Sequence, residues 1–230
     1  MGREYTSFPP DCGSDCHRCR SIGCSWVHLR WTWRSGGSFK FGILRMKERL
    51  RDKSRDKLAQ NLNSLGIRAD LAERGRAEER VENSWYQRSL GIIDIPEGLV
   101  RWINILKKDG SRYNPPRWWV ILGIPDKRPL PNHQAVDIKT IRTKRFPLFG
   151  KIVDVTWKGN DSGTGLADAL SNDEAAKNLA KNAGNLTVHS YAKGFLGWTL
   201  QVDRRFKPTK QDWATIQKIA NRILSSARIL

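Results

Sequence analysis

Leu90-Gly-Ile-Ile-Asp-Ile95, then Pro96-Glu97-Gly98, then Leu99-Val-Arg-Trp-Ile-Asn-Ile-Leu-Lys107 is the stretch that decides the fold. Two apolar runs rich in Ile and Val, joined by three turn residues, predict a β-hairpin. Pro presets one backbone angle and Gly reverses the chain without a Cβ clash. Downstream, Asp109-Gly110 and Asn114-Pro115-Pro116 break the chain before Trp118-Trp119-Val120-Ile121-Leu122. That uninterrupted apolar run suits a central strand covered on both faces. Upstream, Leu58, Leu62 and Leu65 recur at i, i+4 and i+7 before Gly66. This predicts an amphipathic helix that starts near Met46 and stops at Gly66. Ile67, Ala69 and Leu71 alternate with Arg68 and Asp70 as a half-buried strand, and the charged stretch 74–88 reads as a connection.

Beyond a Pro-rich, basic bridge over 129–145, Val153, Val155 and Trp157 alternate with polar residues as a further strand. Ser171-Asn-Asp-Glu174 has the spacing of a capping box and opens a helix with Ala176, Leu179, Ala180 and Ala183 inward, closed by Gly184. Strands over 186–191 and 197–202 follow, with Trp198, Leu200 and Val202 on one face. A last helix begins at the capping signal Thr209-Lys-Gln-Asp212 and carries Trp213, Ile216, Ala220, Ile223 and Leu224 as its inner stripe. The expected class is α+β, antiparallel sheet with helices on one face. Three parts are expected: an irregular Cys-, Trp- and Arg-containing extension over 1–45, a helix plus β-meander over 46–145, and a β-α-β-β-α unit over 146–230.

The 230 residues contain 41 Lys and Arg against 23 Asp and Glu, for a net charge of +18. A surplus of about 2 to 8 suffices for solubility in a small domain, so a polyanionic partner is expected, nucleic acid above all. No run approaches the roughly 20 apolar residues of a bilayer span. No segment pairs a basic face with a broad apolar one, so a membrane partner is not expected. Residues 1–10 lack the apolar core of a secretory signal, which predicts a cytoplasmic address. The densest basic run, Lys139, Arg142, Lys144 and Arg145, reads on an extended chain as a track for phosphates. Arg204, Arg205, Lys207 and Lys210 form a second cluster at a strand end. Trp102, Trp157, Trp198 and Trp213 read as core, whereas Trp118 and Trp119, adjacent on one strand, point to opposite faces.

Cys12, Cys16, Cys19 and Cys24 are spaced C-x3-C-x2-C-x4-C. Four thiolates this close can wrap a zinc ion, and free thiols in an extension are the other reading. The first three resemble the C-x3-C-x2-C of radical S-adenosylmethionine enzymes, which would imply a [4Fe–4S] cluster and a (β/α) barrel; the rest of the chain departs from that alternation. Pro125-Asp126 and Asp137-Ile138-Lys139 resemble the PD-(D/E)xK nucleases. That resemblance implies Mg²⁺ on Asp126 and Asp137, Lys139 acting on the attacking water, and Asp94 as an additional ligand. Surface turns account for the same carboxylates. His133 and His189 stand isolated in the sequence, and the Gly-rich stretch 159–165 lacks the Lys-Ser/Thr of a phosphate-binding loop. The leading expectation is a phosphate-contacting nucleic-acid binder; a Mg²⁺-dependent nuclease and a structural component of a larger assembly are the alternatives.

Overall fold

Asn63 shows how the chain starts its sheet. Its side-chain oxygen accepts from the Ala69 N–H at 3.0 Å and its amide donates to the Ala69 carbonyl at 2.9 Å, so the chain leaves the helix in a fixed direction. That helix, α1 (Ser54–Ser64), buries Leu58 and Leu62, and Gly66 takes the left-handed φ of +81° that ends it. The computed structural model describes residues 52–128, 135–145, 150–192 and 194–226. The four cysteines, His133 and residues 46–51 lie outside them.

The described residues form eight strands: β1 (Asp70–Leu71), β2 (Arg88–Asp94), β3 (Trp102–Lys108), β4 (Arg117–Pro125), β5 (Asp137–Lys144), β6 (Ile152–Asn160), β7 (Leu186–Ser190) and β8 (Gly197–Val202). The helices after α1 are α2 (Leu166–Ser171), α3 (Glu174–Ala183) and α4 (Lys210–Ser226). All eight strands join one antiparallel sheet in the order β1-β2-β3-β4-β8-β7-β5-β6. The α+β class with helices on one face stands.

The boundary expected at 145/146 falls in the β5–β6 connection, inside this single sheet. β8 pairs with β4 while β7 pairs with β5, so strands of the two expected units interleave. The turn signals around 145 are those of a hairpin, and sequence alone does not distinguish a hairpin from a linker. All described residues fall in one unit, Leu50–Leu230.

Two layers of core explain the apolar runs. On the helix side, Ile103, Ile105, Leu122, Ile124, Leu200 and Trp198 meet Leu62, Leu170, Leu179, Ile216 and Ile223. On the other side, Ile92, Trp102, Leu106 and Ile121 are covered by Val81 and Phe195, which lie on connections. β3 and β4 are therefore buried on both faces, which is why they lack clean alternation. Asn104, fully buried on β3, ties the second cover down. Its amide donates to the Glu78 and Glu79 carbonyls at 3.2 and 3.3 Å, while its oxygen accepts from Ser89 Oγ at 2.7 Å.

Gly123 lies opposite Trp102, and a Cβ there would sit 2.0 Å from the indole; the ring occupies the space a side chain would need. The cap of α3 is Asp173, which accepts from the Ala175 and Ala176 N–H groups, rather than Ser171. Ser171 instead ends α2, a helix the sequence pattern does not announce, and its Oγ accepts from the Trp157 N–H at 2.8 Å. At α4 the expected cap forms: Thr209 Oγ1 accepts from the Asp212 N–H at 3.1 Å and Asp212 accepts from the Thr209 N–H at 2.9 Å. No described helix is long and apolar enough to cross a membrane.

Candidate nucleic-acid interface

Antiparallel pairing brings the N-terminal ends of β2, β4 and β7 and the C-terminal ends of β3, β5 and β8 to one end of the sheet. Arg117 starts β4, Arg142 lies late in β5, and Arg204 and Arg205 follow β8. These four side chains line one cleft of about 570 Å³ with Trp118, Trp119, Asn185 and Asp203. Among the described residues none of the four guanidiniums forms an ion pair. The nearby Asp109 carboxylate is already held by Arg88 at 2.9 Å and Lys107 at 3.3 Å, and Asp52 by Lys107 at 2.8 Å. Asp203 accepts from the Gln201 amide at 2.9 Å.

Position alone makes this cluster electrostatically unsatisfied. Burial and then the like charge of Arg204 push Arg142 below the ordinary arginine range, with Asp203 opposing. Arg204 lays its aliphatic stem against Gly184, where a Cβ would come within 3.0 Å of it. Arg205 stacks over the Trp118 indole with its guanidinium carbon 3.8 Å from the ring centroid. Stacking holds the planar cation in one orientation and leaves its N–H edge free for bidentate acceptors such as phosphate.

A second cavity of about 510 Å³ adjoins the cleft and shares Trp118 and Arg205 with it. Its walls are Leu58, Ile105, Val120 and Phe206, and its rim includes Lys57 and Lys207. The α1 residues Ser54, Lys57, Leu58, Asn61 and Ser64 face it at helical spacing.

The basic residues expected from sequence divide accordingly. Arg142, Arg204 and Arg205 converge, and Lys207 lines the adjoining cavity. Lys139 does not join them: it alternates with the inward Ile138 and Thr140, so it lies on the opposite sheet face from Arg142. The single phosphate track over 139–145 is thus split between two faces. Lys144 and Arg145 are exposed at the end of β5, and Lys210 opens α4; none of the three lines either cavity. Arg117 escapes sequence reasoning because nothing but its place beside the Pro115-Pro116 break marks it as a strand start.

The carboxylates matched to the nuclease pattern are not one site. Asp126 turns toward the helices, where Arg128 binds it at 2.6 Å and the Trp198 indole N–H donates to it at 3.2 Å. Burial raises the Asp126 carboxyl, but the Arg128 side chain, its backbone N–H and Trp198 outweigh this and leave it below the usual carboxylate range. Asp137 lies on the other face of β5, which is separated from β4 by β8 and β7, about 14 Å at three strand spacings. Asp94 is held by Arg76 at 2.6 and 2.8 Å. Among the described residues no three His, Cys, Asp or Glu side chains converge to hold a metal ion.

His189, isolated in the sequence, is not isolated in space. Its Nδ1 lies 2.9 Å from Glu82 and its Nε2 3.1 Å from Asp137. The Glu82 hydrogen bond, against a smaller effect of burial, raises the imidazole above its ordinary value, and Asp137 adds to the rise. Glu82 has a φ of +54°, strained for a residue with a side chain, and its contact with His189 ties the 81–82 segment to the sheet. In the 159–165 loop the N–H groups of Ser162 and Gly163 are taken by the Asn160 and Asp161 side chains at 3.0 and 3.1 Å, so this loop turns on itself and offers no cradle there.

No family model, curated protein or solved structure matches this chain.

Proposed function

We propose that this protein binds nucleic acid through the basic end of its sheet, mainly by phosphate contacts. The observation that carries the reading is the convergence of Arg117, Arg142, Arg204 and Arg205 on one cleft in which none of them forms an ion pair among the described residues, Asp203 being the one carboxylate against four cations in its lining. Four guanidiniums cost self-repulsion, which a run of phosphates relieves. Two of them are consecutive residues after β8, and the other two come from β4 and β5, which β8 and β7 separate, a spread suited to an extended polyanion. Exposed aromatic rings near the same end, Tyr86 under Lys108 at 5.0 Å and Tyr113 under Arg112 at 5.7 Å, are flat surfaces with a cation attached, the combination found where proteins hold bases and phosphates together.

The test is the affinity of the full chain for a polynucleotide as a function of salt. If all four arginines displace counterions, log K falls against log salt with their contribution to the slope near about 3 to 4 units. A quadruple Arg→Gln variant loses that contribution. Absent binding, or binding indifferent to salt, overturns the reading.

A further inference from the structure

We infer that the cavity between α1 and the β3–β4 pair receives one unstacked base of a single-stranded polynucleotide whose phosphates lie on the adjoining arginine cleft. This rests on the phosphate reading of that cleft and deepens it. Three observations support it.

First, the two cavities are continuous in their walls: Trp118 and Arg205 belong to both, so a chain with phosphates at Arg204 and Arg205 has its next base facing the apolar side. Second, the cavity, at about 510 Å³, is walled by Leu58, Ile105, Val120, Phe206 and the Trp118 ring, and its rim has polar groups at Lys57 and Asn61. Apolar walls with a few placed polar groups are what a base, flat and apolar on its faces and polar at its edge, requires. Asn61 is already anchored, since its amide donates to the Pro208 carbonyl at 2.9 Å, which leaves its side-chain oxygen as an acceptor at a fixed place. Third, further unburied rings stand near the same sheet end: Trp85 is 94% exposed and Tyr113 83% exposed. Exposed rings accept the π-faces of bases that are not already stacked in a duplex.

A paired base reaches such a cavity only by leaving its stack and its partner, which costs free energy that a single strand does not spend. The expected consequence is a preference for single strands over duplex of the same length.

The experiment uses the full chain and three probes of equal length: a single-stranded oligothymidylate, the corresponding duplex, which carries twice the phosphates and so favours binding on charge alone, and an abasic oligonucleotide with the phosphate count of the single strand. Fluorescence anisotropy at fixed salt reads the affinities. The expected result is that the single strand binds at least tenfold tighter than either of the other two. Gln60→Trp, on an exposed rim position, fills the cavity and removes that preference without changing the salt slope. Ser64→Trp is the second filling variant, and thermal melting of each checks that it folds. Equal affinity for all three probes, a preference for duplex, or an unchanged preference in both folded variants overturns the base pocket. In those cases salt-dependent binding still stands, whereas loss of salt dependence for every probe strikes the phosphate reading itself.

Discussion

The two ends of the sheet differ in how their charged side chains are paired. At the end where β2 and β4 finish and β5 begins, three carboxylates on or beside the strands have cationic or imidazole partners. Asp94 holds Arg76, Asp126 holds Arg128, and Asp137 shares His189 with Glu82. At the other end Asp52 and Asp109 occupy Lys107 and Arg88, and Arg117, Arg142, Arg204 and Arg205 form no ion pair among the described residues, with Asp203 the one carboxylate lining their cleft. Paired charges tie neighbouring segments together, whereas an unpaired cluster of like charge repels itself to an extent that salt and bound anions reduce. The contrast teaches that which charges find partners is decided by the strand ends the sheet order brings together, not by the local run of sequence.

Substitutions at the two ends therefore change different observables. The largest effect is expected from Asp126→Ala. It leaves the Trp198 indole N–H and the partly exposed Arg128 guanidinium without their acceptor, and costs about 2–3 kcal/mol after allowance for the exposure of Arg128. Denaturant unfolding measures the loss, and polynucleotide affinity at low temperature stays at the wild-type value. Next comes the double variant Arg204→Ala with Arg205→Ala. It is expected to melt as wild type does, while the fall in affinity for a single strand between 50 and 200 mM salt shrinks about sevenfold, the contribution of two phosphate contacts. A melting temperature that drops with binding intact would invert the comparison.

Arg142→Met is expected to act more gently on the fold. Removing a half-buried cation from beside Arg204 leaves stability unchanged or raises it by about 0.5 kcal/mol, and the salt slope falls by about one unit. A clear destabilisation would mean that Arg142 is held in place as firmly as the pairs at the opposite end. The smallest effect concerns pH. His189 has a folded-state value raised above 6.5, so its ionised form contributes stability fully below 6.5 and this contribution disappears as pH rises through the raised value. Melting temperature followed upward from pH 6 should therefore decline more in the wild type than in His189→Gln. Parallel profiles would show that the Glu82 and Asp137 contacts carry no net preference for the imidazolium.

The hairpin over 90–107 and the strand at 118–122 were legible because their apolar, β-branched runs and Pro/Gly turns act within a few residues. The same locality makes the α4 cap readable at Thr209 and Asp212. It misleads at Ser171, where a capping-box spacing competes with Asp173, which sits closer to the first free N–H groups. The candidate site was legible in part. Arg204 and Arg205 declare themselves by adjacency, and Arg142 by the basic run around it. Lys139 falls in one basic run with Arg142 because spacing along a chain does not show which face of a strand is in contact with the core. His189 had no local signal at all, since its two carboxylates come from positions 82 and 137.

Sequence by itself determined the class of this fold and the sign of its surface, because periodicity and net charge are sums over neighbours in the chain. Tertiary structure decided that one sheet, not two, carries both halves, and that the unpaired arginines share one end of it. Strand order and register are settled by long-range burial, where β8 enters between β4 and β7, and no pattern within a single strand encodes its neighbour.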